Sequence, residues 1–251
     1  MGKTKIEWTE KTWNPITGCT KYSGGCVNCY AETMSNRLKA MGLEKYKNGF
    51  SLTLHERELE LPKRWGKPHM VFVCSMSDLF HQDVPFEYID KVMETITSTP
   101  QHTYQILTKR AERMAEYFAT REIPQNAWLG VTVEAQTSKN RIDILRTLAA
   151  PIRFLSCEPL LEDLGSLNLG NIDWVIVGGE SGPNARPMKE NWALEIKDQC
   201  EAQNVPFFFK QWGTWGRDGV KRNKQANGSR LRGKEYKQMP KAYNDEYKEE
   251  E

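Results

Sequence analysis

A short apolar run that ends in a polar cluster is the feature that decides the fold of this chain. The stretch is Met70-Val71-Phe72-Val73-Cys74-Ser75-Met76-Ser77-Asp78, in which four apolar residues lead into a thiol, two hydroxyls and a carboxylate. The apolar residues do not alternate with polar ones, which is typical of a strand covered on both faces and therefore of a parallel sheet. The same pattern recurs in residues 104–107, 128–133, 152–155, 174–177 and 205–209, and more weakly in 50–54.

Between these strands lie stretches whose apolar residues have helical spacing. They are residues 31–41 (with Ala31, Met34, Leu38 and Met41 as the stripe), 86–96, 114–118, 142–148 and 192–200. Alternating strands and helices indicate βαβ units. The 251 residues also match the length of one α/β barrel, about 250 residues. We therefore predict an α/β fold containing a (β/α) barrel of six to eight mainly parallel strands, either a full or a partial TIM-like barrel.

Composition narrows the class of protein. No apolar run approaches the roughly 18 residues of a membrane span, and the N-terminus has no apolar signal core. We expect a cytoplasmic protein with no membrane partner, in which the six cysteines are reduced thiols, metal ligands or buried residues rather than disulfides. The net charge of +2 indicates no strong overall field for nucleic acid, although a local basic patch fits it.

Polar and charged residues follow nearly every predicted strand. In parallel α/β folds the carboxyl ends of the strands build the active site. Turns are often polar, but a carboxylate directly after an apolar strand is costly unless it has a partner. The candidate site residues at these positions are Ser75, Asp78, Thr108, Lys109, Glu134, Glu158, Gly178, Gly179 and Glu180.

Three cysteines, Cys19, Cys26 and Cys29, lie in a glycine-rich loop that leads into the first helix. Thiolates select soft metals such as zinc, copper(I) or iron–sulfur clusters. A structural zinc ion needs four ligands, so a fourth would have to come from Cys74, Cys157 or His81. A cubane iron–sulfur cluster on three cysteines instead leaves one iron open, as a catalytic site requires. Three unrelated thiols are the third interpretation.

The residues around these cysteines resemble a known family. The loop is similar to the cluster loop of radical S-adenosylmethionine enzymes, above all the branch of spore photoproduct lyase and its relatives. It differs in the longer spacing of the first two cysteines and in having Asn28 where an aromatic residue is usual, with Tyr30 following Cys29. A family of phage and prophage proteins of largely unknown function, regarded as radical-SAM-like, resembles nearly the whole chain. Its motifs match residues 12–15, 75–80, 107–110, 130–134, 156–160, 178–182 and 208–213.

The resemblance implies a cofactor set and a site. It implies a 4Fe–4S cluster on Cys19, Cys26 and Cys29, with S-adenosylmethionine at the open iron as the source of a deoxyadenosyl radical. The strand-end candidates would then be cofactor contacts, with Glu180 a candidate partner for the ammonium group of S-adenosylmethionine. Cys74 and Cys157 are candidate radical-quenching thiols, by analogy with spore photoproduct lyase.

Basic residues in the C-terminal part of the chain suggest a nucleic acid or a nucleotide as the partner. Nine Lys or Arg residues lie between Arg217 and Lys241, near Trp212 and Trp215, and such a mixture can hold phosphates and stack on bases. We expect a barrel over residues 1–213, a basic extension over 214–243 packed near the barrel mouth, and a disordered acidic tail over 244–251. The predicted function is radical S-adenosylmethionine chemistry on DNA, RNA or a nucleotide, with a flavodoxin- or ferredoxin-type electron donor. The alternatives are a zinc-stabilised nucleic-acid-binding protein without catalysis, and a radical enzyme acting on a peptide or small molecule.

Overall fold

A seven-stranded sheet is the centre of the fold. The computed structural model describes residue 4 and residues 6–241. The strands are β1 (Lys11–Trp13), β2 (Ile16–Thr17), β3 (Thr53–Leu54), β4 (Met70–Val73), β5 (Thr103–Thr108), β6 (Ala127–Thr132), β7 (Arg153–Cys157), β8 (Trp174–Gly178), β9 (Phe207–Gln211), β10 (Arg230–Leu231) and β11 (Lys234–Glu235). The main sheet has the order β1-β4-β5-β6-β7-β8-β9. The predicted α/β class and the six to eight mainly parallel strands are confirmed.

Helices lie between the strands, and the first five are where the apolar stripes predict them. They are α1 (Tyr30–Ala40), α2 (Phe86–Thr97), α3 (Ala111–Phe118), α4 (Asn140–Arg146), α5 (Glu190–Ala202) and α6 (Lys224–Asn227). The stripe on α2 is buried as expected, since Ile89, Val92 and Ile96 have no exposed surface. Within the described residues no helix combines the length and the apolar composition that crossing a membrane would require.

The chain divides into two compact units. Unit 1 comprises residues up to Val131 together with Thr147–Pro151, and unit 2 comprises Thr132–Arg146 and the chain from Ile152 onward. In unit 1, β4 pairs in parallel with β1 and with β5, and β5 pairs in parallel with β6. All four residues of β4 are buried, which explains its uninterrupted apolar run.

In unit 2, β8 pairs in parallel with both β7 and β9. The chain after β9 returns along its edge: Phe208 forms an antiparallel bridge with Lys237, and the Phe209 N–H donates to the Tyr236 carbonyl at 2.8 Å. This pairing covers an edge strand that would otherwise be open to other chains. The predicted acidic tail, residues 244–251, lies outside the described residues.

Two elements near the cysteines differ from the sequence-based expectation. The sequence pattern does not predict β1, which the structure pairs with β4. The Cys74 N–H, directly after β4, donates to the Trp13 carbonyl of β1 at 2.8 Å. The strand expected over residues 50–54 is reduced to β3, which pairs antiparallel with β2 outside the main sheet. Both pieces are too short to carry a periodic pattern, and their partners are distant in sequence.

Candidate functional site

The cysteine loop is anchored in unit 1 by backbone contacts at its first residues. The Gly18 N–H donates to the Met76 carbonyl at 3.0 Å, and the Cys19 N–H donates to the Phe50 carbonyl at 3.2 Å. Gly18 has a φ of +81°, and a Cβ there would lie 2.2 Å from the Ser51 carbonyl oxygen. Only glycine fits this close approach, so the start of the loop is fixed against two segments of unit 1.

The three thiols of the loop occupy different local structures. Cys26 ends a short 3₁₀ turn, and Cys29 is the N-cap residue of α1. All three cysteines are free and half-buried. The charge of Cys26 contributes, after burial and the charge of Asp78, to the raised pKa of Cys19. Among residues 4 and 6–241, however, no three His, Cys, Asp or Glu side chains are grouped as a metal ion would require.

A buried arginine holds the side of the loop that contains Cys19. Arg110 lies two residues after the strand β5. One of its terminal nitrogens, Nη1, donates to Asp78 Oδ2 at 2.9 Å and lies 3.8 Å from Cys19 Sγ. The other, Nη2, donates to the Thr20 carbonyl at 3.3 Å. The guanidinium lies over the Tyr22 ring, 4.9 Å from its centroid. The side chain of Arg110 thus contacts three residues of the loop, Cys19, Thr20 and Tyr22.

Asp78 keeps Arg110 in place and gathers two other predicted site residues. Its Oδ1 accepts hydrogen bonds from the Thr108 hydroxyl at 2.7 Å and from the Phe80 N–H at 3.0 Å. Its Oδ2 accepts from the Lys109 N–H at 3.3 Å as well as from Arg110. The structure therefore brings Asp78, Thr108 and Lys109 together with Cys19. The side chains of Asp78 and Arg110 are only 9% and 6% exposed, so the pair is buried.

The electrostatics of Cys19 reflect these neighbours. Burial, followed by the charge of Asp78, raises the pKa of the Cys19 thiol to about 11. Arg110 acts in the opposite direction, through its charge and through its hydrogen bond to the sulfur. A thiolate is the form that binds metals. The site therefore contains one cation that favours the metal-binding form of Cys19, opposed by burial and by a carboxylate.

Two further contacts surround the loop. The ring nitrogen Nε2 of His81 lies 2.8 Å from the Thr20 hydroxyl oxygen. Burial, and then the charge of Arg110, lowers the pKa of His81, which favours a neutral imidazole. The Tyr30 hydroxyl donates to the Ser75 carbonyl, and the Ser75 hydroxyl donates to Asn14 Oδ1 at 3.1 Å. Ser75 is thereby linked to the residue that follows Cys29.

The donor set fits a thiolate-bound metal group in number and chemistry. Three thiols lie within one loop, none is in a disulfide, and a cation lies beside the first. Soft thiolates are the ligands that iron–sulfur clusters and zinc select. Because the thiolate is the form that binds a metal, binding requires Cys19 to lose its proton.

In unit 2 the predicted strand-end carboxylates each have a cationic partner. Glu158 follows β7, and its two oxygens accept from Lys210 Nζ at 2.8 and 2.9 Å. Gln211 donates to Glu158 Oε1 at 3.3 Å and to the Ser181 hydroxyl at 3.2 Å. The side chains of Glu158 and Lys210 remain 19% and 16% exposed, so this pair can still be approached by a ligand.

The other two carboxylates are enclosed more completely. Glu134 accepts from Arg141 at 2.8 Å, and its side chain is 1% exposed. Glu180 accepts from both the backbone N–H and the Nε–H of Arg186, at 2.8 and 2.9 Å. These partners explain how the carboxylates are tolerated directly after apolar strands.

The two glycines of the Gly178-Gly179-Glu180 motif are explained by close contacts that leave little room for a side chain. A Cβ at Gly178 would lie 3.2 Å from the carboxyl carbon of Glu158. A Cβ at Gly179 would lie 1.9 Å from the Trp212 carbonyl oxygen, and one at Gly213 would lie 2.2 Å from the Glu180 carbonyl oxygen. The segments after β8 and β9 therefore cross in direct backbone contact.

The candidate radical-quenching thiols are both buried. Cys74 has a φ of 59° in the turn after β4, and burial raises its thiol pKa to about 12. Cys157 has no exposed surface, and burial, followed by the charge of Cys200, raises its pKa. Their role as hydrogen-atom donors stays a prediction.

Sequence reasoning missed two cations of the site, Arg110 and Lys210. Arg110 lies in the motif that follows β5, but only Thr108 and Lys109 of that motif were candidates. Lys210 likewise lies near the end of β9, in the motif of residues 208–213. The available signal was an Arg or Lys directly at the end of an apolar strand, where an unpaired charge is as costly as a carboxylate.

The chain is similar to spore photoproduct lyase bound to a dinucleoside spore photoproduct, with 12% identity, a TM-score of 0.45, and coverage of 79% of this chain and 62% of that one. For a cysteine-to-alanine variant with the same ligand, the identity is 15% and the TM-score 0.45, with coverage of 84% of this chain and 68% of that one. For a cysteine-to-serine variant, the identity is 13% and the TM-score 0.46, with coverage of 88% of this chain and 69% of that one. The chain thus spans less than two thirds of the length of the first of these relatives. Among curated proteins, none matches this chain in sequence.

One family matches almost the whole length. It is described as a protein of unknown function, DUF5131, and it matches residues 3–240, a range that includes the cysteine loop, the Asp78–Arg110 pair and the strand-end motifs of unit 2. The chain therefore belongs to the DUF5131 family.

Proposed function

We propose that this chain is a radical S-adenosylmethionine enzyme whose loop at residues 19–29 holds a 4Fe–4S cluster through Cys19, Cys26 and Cys29. The observation that carries the proposal is three free, half-buried thiols in one loop, with the guanidinium of Arg110 beside the first. Three cysteines leave one iron of a cubane open for S-adenosylmethionine. The resemblance of the loop to that of radical S-adenosylmethionine enzymes supports the same assignment.

The cofactors supply the difficult chemistry, and the chain positions them. Cys19, Cys26 and Cys29 would hold the cluster, and the bound cofactors would supply reductive cleavage of the sulfonium of S-adenosylmethionine and hydrogen-atom abstraction from the substrate. Arg110 favours the thiolate of Cys19 and anchors the loop at Thr20 and Tyr22. Asp78 orients Arg110, together with Thr108 and the Lys109 N–H.

The strand-end residues of unit 2 are proposed cofactor contacts. Of the three carboxylates, Glu158 is the one whose side chain is accessible, and its neighbours Lys210 and Gln211 could hold a polar ligand beside it. Glu180 and Glu134 already accept hydrogen bonds from arginines. That these residues share one site with the cysteines stays a prediction.

The proposed substrate is a nucleic acid or a nucleotide. The supporting feature is the basic segment after β9, where Lys224, Arg232 and Lys234 are exposed and Lys221 lies 4.9 Å from the ring centroid of Trp215. Exposed cations next to an aromatic ring can bind phosphate and stack against a base.

Anaerobic reconstitution tests the cofactor assignment. We expect about four irons and four sulfides per chain, as in a cubane cluster. Alanine at Cys19, Cys26 or Cys29 should abolish the cluster, whereas Cys200→Ala, the matched control at a buried thiol, should retain it. With dithionite and S-adenosylmethionine, the loaded protein should release deoxyadenosine. Stoichiometric zinc without sulfide, in protein prepared without oxygen, would refute the proposal.

A structural zinc site is the second candidate function, and the contact of His81 with Thr20 favours it. A neutral imidazole next to the loop could serve as the fourth zinc ligand beside the three thiols. His81→Ala separates the two functions. It should eliminate bound metal if zinc is held by three cysteines and His81, and it should leave iron and sulfide content unchanged if the cysteines alone hold a cluster.

A further inference from the structure

Two tryptophans of unit 2 each have a lysine over the indole ring. Lys189 Nζ lies 5.2 Å from the ring centroid of Trp192, and Lys221 Nζ lies 4.9 Å from the ring centroid of Trp215. Both tryptophans are half-buried and both lysines are exposed. A cation over the face of an indole ring is attracted to it. Because the two lysines are exposed and have long side chains, they can leave these ring faces to another flat group.

The loop that contains Trp215 holds the indole ring in place. Trp215 and Lys221 form an antiparallel bridge, and the Arg222 N–H donates to the Thr214 carbonyl at 2.9 Å. The Trp215 Nε1–H donates to the Ala185 carbonyl at 2.6 Å. An indole has this one hydrogen-bond donor and no acceptor, so the protein already satisfies its polar group. What Trp215 still offers to a ligand is the face of its ring.

The stretch from Pro183 to Trp192 links the two tryptophans. Lys221 Nζ donates to the Pro183 carbonyl at 3.5 Å, and Trp215 contacts the Ala185 carbonyl. At the other end of the stretch, Lys189 is the N-cap residue of α5 and Trp192 lies in the first turn of that helix. An extended chain advances about 3.5 Å per residue, so the backbones at positions 185 and 192 are at most about 25 Å apart. A strand of several nucleotides spans such a distance.

Two arginines meet at the carboxylate that begins α5. Arg217 Nη1 lies 3.9 Å from Glu190 Oε1, and the Arg232 N–H donates to the same oxygen at 3.3 Å. The Arg217 side chain is 60% exposed, and Arg232 is exposed as well. Arginine binds phosphate oxygens well because its N–H groups match their geometry. We name these cations and rings the tryptophan surface, which consists of Lys189, Trp192, Trp215, Arg217, Lys221 and Arg232.

Acidic residues near the tryptophan surface do not cancel its charge. In the segment after β9, Asp218 and Glu235 are each paired with an arginine that does not belong to the surface. On α5, Glu195 is exposed three positions after Trp192. With Glu190 it provides two carboxylates against four cations, so the tryptophan surface keeps a net positive charge.

Cations combined with accessible aromatic faces distinguish between the two forms of nucleic acid. A duplex presents phosphates, but its bases are stacked on one another and their faces are not accessible. A single strand presents phosphates and also bases that can stack on tryptophan, and such stacking tolerates any base. Phosphate binding alone would need the cations and not the two rings.

We propose that the tryptophan surface binds a single-stranded nucleic acid. One base stacks on Trp192 and another on Trp215, while Lys189 and Lys221 move from the rings to the phosphates of the strand. This inference deepens the proposed function by naming its substrate class, and it rests on that function only for the reaction that the bound strand undergoes.

Fluorescence anisotropy with a labelled strand of about 12 nucleotides tests the proposal on the full chain, with and without the cluster. DNA and RNA strands of one sequence are compared with the corresponding duplexes, and we expect at least one single strand to bind about tenfold more tightly than its duplex. Trp192→Leu should weaken binding of the single strand about fivefold or more. Trp215→Phe, which keeps a ring, should bind more tightly than Trp215→Leu. Lys189→Ala should make the log–log salt slope shallower by about 0.7.

Trp65→Leu is the matched control in unit 1. Lys11 Nζ lies over the Trp65 ring at 4.9 Å, as in the tryptophan surface, but that ring also packs against His69 and His102. This variant should bind the strand as the wild type does. Urea unfolding of each variant shows whether a loss of binding reflects a loss of folded protein.

The outcomes separate the tryptophan surface from the radical chemistry. Equal affinity for duplex and single strand, unchanged binding by folded Trp192→Leu and Trp215→Leu, or an equal loss in Trp65→Leu overturns the surface. Binding of a mononucleotide as tight as that of the strand also overturns it. If the strand binds as expected but the loaded protein releases no deoxyadenosine with dithionite, the proposed function fails and the surface remains. Deoxyadenosine release without strand binding gives the reverse result.

Discussion

At the scale of single residues, Arg110 is the group on which the candidate site depends most. Its guanidinium contacts Asp78, Cys19, Thr20 and Tyr22, and both members of the ion pair with Asp78 are buried. A buried charge that loses its partner is costly because the remaining ion is left without water and without a counter-ion.

We predict that Arg110→Gln lowers the free energy of unfolding by about 3 kcal/mol or more, measured by urea denaturation. Asp78→Asn introduced into the same variant should restore part of the loss, because no unpaired charge then remains. The released loop should also be cut faster by trypsin after Lys21, which is 56% exposed.

The matched control for this prediction is Arg121→Gln. Arg121 pairs with Asp90 at 2.6 Å, but the side chains are 31% and 45% exposed, so the loss of stability should be much smaller than that of Arg110→Gln. Equal losses in the two variants would contradict the special role of Arg110. Unchanged cleavage after Lys21 would show that the loop is held by its backbone contacts alone.

At the scale of elements, a carboxylate links α2 to α3. Asp90 on α2 accepts from the Tyr117 hydroxyl of α3 at 2.7 Å and from Arg121 Nε at 2.6 Å. The hydrogen bond from Arg121, with that from Tyr117, lowers the pKa of Asp90 below its ordinary value of 3.8. A carboxyl group with a lowered pKa contributes stability above its ordinary pKa, and the contribution disappears as the pH falls through the folded-state value.

We predict that Asp90→Asn destabilises the protein at pH 7 by less than about 1 kcal/mol, because the pair is partly solvated. The difference from the wild type should shrink as the pH is lowered from about 5 to below the folded-state pKa, where both side chains are neutral. Urea unfolding at a series of pH values measures this. Asp143→Asn, at the exposed pair with Arg146, should leave the free energy of unfolding nearly unchanged. A difference that grows toward acid pH would contradict the argument.

In the segment after β9, several cationic side chains are already paired within the protein and are not available to a nucleic acid. Arg222 pairs with Asp218 at 2.5 Å, Arg230 pairs with Glu235 at 3.4 Å, and Lys237 donates to the Phe209 carbonyl at 2.9 Å. Counting basic residues in the sequence therefore overstates what a phosphate backbone would meet.

At the scale of the whole molecule, the net charge of +2 provides little long-range attraction for nucleic acid. Any binding must come from a local group of cations, and Lys224, Arg232 and Lys234 are the exposed members of the basic segment that best fit this role. Each phosphate that such a group neutralises releases counter-ions, which makes the affinity depend on salt.

We predict salt-sensitive binding of DNA or RNA that Lys224→Ala, Arg232→Ala and Lys234→Ala together reduce. The log–log salt slope should become shallower by about 0.7 per lost contact on single strands and about 0.9 on duplex DNA. Fluorescence titration at several salt concentrations measures the slope. Alanine at the exposed Lys63 and Lys67 of unit 1 should leave it unchanged. Wild-type protein that binds no nucleic acid at low ionic strength would instead favour a free nucleotide, a peptide or a small metabolite as substrate.

The sequence by itself determined the strands β4 to β9 and the helices α1 to α5, and it pointed to the loop. Residues 70–73 predict a strand because burial on both faces makes every residue apolar, and this signal is local. The stripe of α2 predicts a helix for the same reason. The glycine-rich loop with Cys19, Cys26 and Cys29 was likewise readable from spacing and residue type alone.

Only the tertiary structure decided which residues meet. Arg110 reaches Cys19 across 91 positions, and His81 reaches Thr20 across 61, and no periodic pattern encodes such contacts. The structure also decided which face of α1 is buried: Met34 and Met41 belong to a helical stripe in the sequence, yet they are exposed because Ala31 and Leu38 already fill the inner face. An apolar stripe predicts that a helix has a partner, whereas the rest of the fold determines whether that partner is the protein's own core.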